Sequence, residues 1–186
     1  ERDEAFAHLD LSDGSTHRAR LLIGADGRGS KIREQAGIGL AQWSYKQSGI
    51  VATVGHEHSH DGIAHERFLA SGPFAILPLT GNRSSIVWTA TSRETAGIMK
   101  LSERGFASEM AARFGGFLGD IHIEGPRWAY PLNFQHAHHY IQHRLALVGD
   151  AAHGIHPIAG QGLNLGLKDI AALVEVLIDA ARLGRD

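Results

Sequence analysis

An aspartate that follows a glycine, Asp150, is the residue with the clearest potential to contact a ligand. It lies in LALVGDAAHGIHPIAGQGLNLGLKD, residues 145–169, after an apolar run that predicts a short buried strand. Glycine at the end of such a strand lets the chain turn sharply and lets a ligand approach where a Cβ would intrude. A carboxylate in that turn can accept hydrogen bonds from sugar hydroxyls.

A second segment has the same arrangement. Gly24-Ala25-Asp26-Gly27 follows Leu21-Leu22-Ile23, again an apolar run that ends in glycine and aspartate. The alternative for both segments is an ordinary tight turn in which the aspartate caps the following backbone. Either segment alone leaves the two interpretations open.

Further glycines follow Asp150 at the start of a predicted helix. Gly162 and Gly166 lie four residues apart, on one helical face, and Gly160 precedes the helix. Glycine inside a helix costs about 1 kcal/mol relative to alanine, so it indicates something packed closely against the backbone. The free N–H groups of a helix N-terminus favour an anion or an electron-rich carbonyl.

Other elements must position these segments. Residues 5–23 predict a hairpin with a turn at Asp13-Gly14 and a return strand ending in Leu21-Leu22-Ile23, and KIREQAG predicts a helix that stops at Gly37. Short apolar or alternating runs from about residue 43 to 91 predict an antiparallel sheet.

The remaining patterns predict helices, then strands, then a last helix. Helices are expected over Ser92–Gly97 and Ser102–Phe114, followed by separate strands at IHIEG and RWAYPL. Apolar residues recur every three or four positions from Leu163 to Ala181, which predicts an amphipathic helix of about five turns.

Composition excludes several classes of function. The chain has 186 residues, 43% of them hydrophobic, and a formal net charge of -2, so no basic surface for nucleic acid is expected. It has no cysteine, which excludes a disulfide framework, a thiolate metal site and a cysteine nucleophile. No apolar run is long enough to span a bilayer and no signal segment is present, so a cytoplasmic location is the default expectation.

Two histidine clusters raise a metal-binding hypothesis. They comprise His56, His58 and His60, and then His136, His138, His139 and His143. Spacing by two along a strand would place the first three on one face. However, neither cluster has the helical His-Glu-x-x-His pattern and both lie in polar segments typical of loops, so no metal site is predicted and a histidine-rich metal-binding module stays an alternative.

The two glycine motifs together resemble those of the aromatic-ring flavoprotein monooxygenases. LLIGADGRGSKIRE resembles the Gly-Asp-Gly segment of that family, and LALVGDAAHGIHPIAGQGLNLGLKDIAAL resembles its second flavin motif, in the right order and about 120 residues apart. The run His156–Gly166, with GPFAILPL and RWAYPL, is most similar to the ubiquinone-biosynthesis hydroxylases.

The resemblance implies a fold and a domain division. The fold class would be α/β, with α+β character in this chain: part of a Rossmann-like FAD-binding domain at 1–40 and 132–186, and an antiparallel β-sheet substrate domain at 41–131. The family's opening strand, its Gly-x-Gly-x-x-Gly loop and its acidic ribose ligand are missing from the sequence, which implies an internal fragment of a longer hydroxylase.

The resemblance also implies roles for individual residues. Asp150 would bond the ribityl chain of FAD with Gly149 allowing its approach, Pro157 would shape the loop at the flavin ring, and Asp26, Gly27 and Arg33 would support pyrophosphate binding and the nicotinamide approach. The pyrimidine edge of the flavin would lie along Gly160, Gln161, Gly162, Leu163 and Asn164, where the helix dipole stabilises negative charge. No general base is assigned to His153 or His156.

The implied reaction is hydroxylation of an aromatic ring. NADPH or NADH would reduce FAD, O2 would add to give a flavin hydroperoxide, and one oxygen would pass to a phenol that is polyprenylated in the subfamily. Such a substrate implies peripheral contact with the inner membrane and a complex with other ubiquinone-biosynthesis proteins. A flavin-dependent reductase or halogenase of the same fold is the alternative within the enzyme class.

Overall fold

The structure is a computed structural model that describes residues 2–185. The chain divides into two compact units, the described residues of Glu1–Trp43 with Asn133–Asp186, and Ser44–Leu132. Helices and antiparallel sheets combine as the predicted mixed α/β fold class requires. The functional roles assigned to the two parts of the chain stay predictions.

The first unit opens with a hairpin. Strands β1 (Ala7–Asp10) and β2 (Thr16–Ala19) pair antiparallel around the predicted turn, where Gly14 has a φ of +85°. The predicted extent of the return strand is wrong, because β2 ends at Ala19. Strand β3 (Leu22–Gly24) belongs to another sheet, because it pairs with the later segment at residues 145–147 and not with β1.

That second sheet carries both glycine motifs. After β3 comes helix α1 (Lys31–Gln35), and late in the chain β9 (Ile141–Gln142) and β10 (Leu145–Leu147) complete a sheet of order β3-β10-β9. Strand β10 is buried and runs parallel to β3. The core of this unit comprises Ile38, Ala137, Leu145, Leu147 and Ala152.

Short elements connect β10 to the last helix. A 3-10 turn at Gly149–Ala151 follows β10, then β11 (His153–Gly154), a second 3-10 turn at Pro157–Ala159 and α4 (Gln161–Arg182). The predicted amphipathic helix is therefore present, one turn longer than expected. None of its residues is buried within the part of the chain that the structure describes, and Leu163 is 74% exposed.

The second unit is built on long strands. They are β4 (Leu40–His56), β5 (His65–Leu69), β6 (Gly72–Leu79), β7 (Arg83–Thr91) and β8 (Ile121–Ala137), with the order β8-β4-β7-β6-β5. The first four residues of β4 and the last five of β8 belong to the first unit. The pairs β4–β7, β7–β6 and β6–β5 are antiparallel, as predicted. The predicted pair of strands at IHIEG and RWAYPL is instead the single strand β8, which continues through Gly125 although this residue has a φ of +77°, a conformation that glycine tolerates.

Two helices cover the core of this unit. Helix α2 (Ser92–Met99) begins with a capping box between Thr91 and Glu94, and α3 (Glu103–Phe114) is capped by Ser102, as predicted. The core beneath them includes Ile50, Val54, Phe74, Ile86, Trp88 and Phe106. Among residues 2–185, no helix is both long and apolar enough to cross a membrane.

Candidate functional site

The parallel pairing of β3 with β10 brings the two glycine motifs together. Leu147 lies opposite Gly24, so the segments that follow both strands leave the same edge of the sheet. Glycine at position 24 allows this close packing, since an added Cβ would lie 2.7 Å from Leu147 Cδ2 and 3.1 Å from Ile32 Cγ2, and the neighbouring side chains would have to shift. Close packing of strand, strand and helix fixes the two motifs side by side.

The Asp26 carboxylate is engaged by the protein. The Ser30 hydroxyl donates to Oδ1 at 2.5 Å, and the Ile32 N–H donates to Oδ2 at 3.1 Å, so Asp26 caps the start of α1. Burial raises the pKa of Asp26, but these hydrogen bonds outweigh it and leave the pKa below its ordinary value. Gly27 has a φ of +82° and open space where a Cβ would lie. The predicted role of both in pyrophosphate binding stays a prediction.

Arg33 ties the first motif to the second. It is buried, and its guanidinium donates from Nη1 to the Ala151 carbonyl at 2.7 Å and from Nη2 to the Arg28 carbonyl at 3.0 Å. A charge removed from water in this way requires such partners. Arg33 therefore positions the turn that contains Asp150, and its predicted link to the nicotinamide stays a prediction.

Asp150 itself is half exposed. Its Oδ2 accepts from Arg28 Nε at 3.1 Å, and its backbone carbonyl accepts from Gln135 Nε2 at 2.7 Å. Gly149 precedes it with a φ of +58°, in a region that favours glycine, and faces open space. The backbone of the turn is thus anchored by the protein, while the carboxylate faces solvent and Arg28.

The turn before Asp150 is also held from α4. Asp169 Oδ2 accepts from the Gly149 N–H at 2.8 Å and lies 2.7 Å from His153 Nε2. The His153 ring packs 5.8 Å from Tyr140, whose pKa is raised by burial and by the charge of Asp169. His153 is consequently a buried structural partner rather than a solvated loop residue.

The start of α4 presents free backbone to solvent. Gly160 has a φ of +59° and caps the helix without any side-chain hydrogen bond, and a Cβ added at Gly160 or Gly162 would have no neighbour within 4 Å. The adjoining Pro157, Gln161, Leu163 and Asn164 are exposed. Gly166 differs, because a Cβ there would lie 3.4 Å from Gly149 Cα, so its close contact is with the protein.

The structure places the predicted residues of the first glycine motif on one side of the Asp150 turn and connects those of α4 to the same turn. Asp26, Gly27 and Arg33 lie beside the Asp150 turn through β3 and β10, and α4 contacts that turn through Gly166 and Asp169. The sequence interpretation missed Arg28, Gln135 and Asp169, and it considered His153 without assigning it a role. A signal for two of them was available, since His153 and Asp169 lie within the motif at residues 145–173.

Comparison with known proteins identifies the family. Residues 3–184 match the model of the family described as FAD binding domain. The chain belongs to this FAD binding domain family. The resemblance to flavoprotein monooxygenases stated from the two motifs is confirmed.

Named relatives within the family include hydroxylases. The chain is 57% identical to the ubiquinone hydroxylase UbiL of Rhodospirillum rubrum, over 100% of this chain and 43% of the relative. It is 40% identical to the 3-demethoxyubiquinol 3-hydroxylase of Escherichia coli, over 98% of this chain and 46% of the relative. The chain thus spans less than half the length of these curated relatives.

A solved structure has the same fold. PqsL of Pseudomonas aeruginosa, crystallised with 2-aminobenzoylacetate, superposes with a TM-score of 0.83 at 25% sequence identity, over 98% of this chain and 52% of that chain. The α/β fold with an antiparallel sheet is therefore that of FAD-dependent monooxygenases in the FAD binding domain family.

The exposed main chain in this region has a geometry that fits FAD, the cofactor of the FAD binding domain family. The sites above Gly149, Gly160 and Gly162 have open space in place of a Cβ, so a flat or extended ligand can approach the main chain. The exposed Asp150 carboxylate can accept hydroxyl hydrogen bonds at the same edge. An acceptor for a hydroxylated chain, the Asp150 carboxylate, and backbone N–H donors for an electron-rich ring, at the start of α4, are thus both present.

The first histidine cluster has protein partners for its ring nitrogens. His56 Nδ1 lies 2.7 Å from the His58 carbonyl and Nε2 lies 3.0 Å from Ser84 Oγ, while His60 Nε2 lies 2.9 Å from the Leu79 carbonyl. No group of three or more His, Asp or Glu side chains among residues 2–185 is placed to hold a metal ion.

Proposed function

We propose that this protein is an FAD-dependent monooxygenase that hydroxylates an aromatic ring with NADPH or NADH and O2. Its proposed substrate is a polyprenylated phenol of ubiquinone biosynthesis, a proposal supported by the names of the two curated relatives. The observation that carries it is the exposed Asp150 carboxylate beside glycines whose main chain is open to a ligand.

Asp150 would bind the ribityl chain. Its carboxylate is half exposed and accepts a hydrogen bond from the similarly exposed guanidinium of Arg28. An ion pair between exposed groups is worth at most about 1 kcal/mol, so a ligand hydroxyl can replace the guanidinium at little cost. The Gln135 side-chain amide donates to the Asp150 backbone carbonyl, which holds the backbone of the turn in place during that exchange.

The start of α4 would stabilise charge on the flavin ring. Gly160, Gln161 and Gly162 begin a helix of 22 residues with no side-chain cap, so its first N–H groups and its dipole are available to an electron-rich carbonyl. When bound, FAD would supply the redox chemistry by accepting a hydride from the nicotinamide and activating O2. The loop at Pro157, whose φ is fixed by its ring, would define the edge of the pocket.

A polyprenylated substrate would require access from a membrane. We propose peripheral association with the inner membrane and assembly with other proteins of ubiquinone biosynthesis. Flotation of the full-length protein with vesicles that contain anionic lipid tests the membrane contact. Recovery of the protein only in the soluble fraction would contradict it.

The reaction can be tested directly with the full-length protein. It is supplied with FAD, NADH or NADPH, candidate phenols and isotopically labelled O2, and the products are measured by mass spectrometry. The proposal expects one labelled oxygen in the ring product, with nicotinamide oxidation stimulated by the phenol. A yellow protein that oxidises nicotinamide but yields no oxygenated phenol would indicate a reductase and contradict the proposal.

A further inference from the structure

Asp169 makes two hydrogen bonds to the segment that contains the proposed flavin ligand. One carboxylate oxygen, Oδ2, accepts from the Gly149 N–H at 2.8 Å and from His153 Nε2 at 2.7 Å. The side chains are largely buried, with exposed fractions of 7% for His153 and 19% for Asp169. The two bonds therefore close the turn between Gly149 and His153 onto α4.

A second contact reinforces the same connection. Gly166 lies one helical turn before Asp169 on the same face, and a Cβ at Gly166 would lie 3.4 Å from Gly149 Cα. Gly149 is thus held by α4 at its amide, and its α-carbon faces Gly166 with no room for a larger side chain than a methyl group between them. Since Asp150 is the next residue, these contacts set where its carboxylate lies relative to the open start of the same helix.

The hydrogen bond from the Gly149 N–H to Asp169 determines which groups the turn can offer to a ligand. Its N–H is occupied by Asp169 and is not left to donate to a ligand, so the turn offers a carboxylate and open space rather than an amide donor. The bonds also hold Gly149 at a φ of +58°, a conformation that glycine leaves easily in a free chain. An ordered turn reduces the entropy lost when a ligand binds.

We propose that Asp169, with His153, is a positioning residue for FAD binding, which keeps Asp150 and the N-terminus of α4 in one fixed geometry. This inference rests on the proposed function, because it assumes that FAD uses both groups. It differs from a purely structural role in one respect. Substitution of Asp169 should weaken FAD binding more than a substitution elsewhere in the unit that lowers the free energy of unfolding to the same extent.

Two substitutions separate charge from hydrogen bonding. Asp169→Asn keeps an acceptor oxygen for both donors but removes the charge, whereas Asp169→Leu, of similar shape, removes the acceptor as well. Charged hydrogen bonds are stronger than neutral ones, so we expect the FAD Kd of the full-length protein to rise about tenfold in Asp169→Asn and about a hundredfold in Asp169→Leu. Titration by flavin fluorescence measures both values.

Hydrogen exchange of the cofactor-free protein tests the contact itself. The Gly149 amide should exchange about tenfold faster or more in Asp169→Leu than in the wild type, because its acceptor is lost. Unchanged protection at Gly149 would overturn the positioning role. Absence of FAD binding by the wild type would instead reject the proposed function, so the two failures are distinguishable.

Two controls exclude a stability effect. Ile38→Ala destabilises the core of the same unit at a residue outside the turn, and Asp179→Asn removes an exposed carboxylate farther along α4. At temperatures where all variants remain folded, both should bind FAD within about threefold of the wild type. If Ile38→Ala weakens FAD binding as much as Asp169→Leu does, the positioning role is overturned.

Discussion

Arg28 Nε lies 3.1 Å from Asp150 Oδ2, in an ion pair that joins the two glycine motifs across 122 residues of sequence. The exposed fractions of the two side chains are 43% and 50%. Water screens such a pair, so its contribution to the free energy of unfolding is at most about 1 kcal/mol. The Asp150 carboxylate is consequently held in place by backbone contacts rather than by its own side-chain bonds, and it is available to a ligand.

Asp150→Asn should therefore separate stability from cofactor binding. We expect the free energy of unfolding to change by less than about 1 kcal/mol, because only an exposed pair is lost. The FAD Kd should rise at least about tenfold, since a charged acceptor for a ribityl hydroxyl is removed. Chemical denaturation and flavin titration of the full-length protein measure the two quantities. An unchanged Kd would refute the role of Asp150.

Gly162→Ala should have opposite effects on stability and on binding. Gly162 lies in α4 with open space at its Cβ position, so alanine should stabilise the helix by up to about 1 kcal/mol. The added methyl group would occupy the space proposed for the flavin edge and lower FAD affinity. Gly97→Ala is the matched control, since Gly97 is also helical and has open space. It should stabilise without altering FAD binding, and equal FAD affinity in both variants would contradict the proposal.

Gly24→Ala should destabilise the unit that contains both motifs. The new Cβ would lie 2.7 Å from Leu147 Cδ2, which forces β3 and β10 apart or shifts the leucine. Overpacking of this kind costs about 1–3 kcal/mol. Thermal unfolding should show a lower Tm than that of Gly29→Ala, where the Cβ would meet no neighbour within 4 Å. Equal Tm values would mean that the strands or the Leu147 side chain can shift at little cost in stability.

Local sequence patterns predicted the elements on which the site depends. The buried run at Leu145–Leu147 and the periodicity after Leu163 are local signals, and both elements are present. The end of β2 was misplaced because the change from hairpin to parallel sheet at Leu22 depends on pairing with β10, which is distant in sequence. Strand boundaries that depend on such distant partners cannot be inferred from alternation alone.

The residues that hold the site together were harder to infer. Asp150 was found because a glycine-rich turn after a strand has a recognisable pattern. Asp169 was missed because an acidic residue in a helix is usually solvated, and only the packing of α4 on Gly149 shows its carboxylate to be largely buried. Gly166 indicated close packing correctly, but its neighbour is Gly149 of the protein itself.

The pKa of Asp26 leads to a pH-dependent prediction. Burial raises this pKa, but the bonds from the Ser30 hydroxyl and the Ile32 N–H outweigh burial, so the folded value lies below the ordinary 3.8. A carboxyl whose pKa is lowered on folding stabilises the protein above the unfolded value and loses that contribution as the pH falls through the folded value. The wild type should therefore be more stable than Asp26→Asn at neutral pH.

That difference should diminish on the acid side. As the pH falls from 3.8 through the lower folded pKa, the carboxyl of Asp26 takes up a proton and comes to resemble the asparagine side chain, so the two unfolding free energies should converge. Denaturation of both proteins across a series of pH values measures the difference, with Asp179→Asn as a control for the loss of one exposed carboxylate. A difference between wild type and Asp26→Asn that stays constant into acid would show that the two bonds do not favour the charged form.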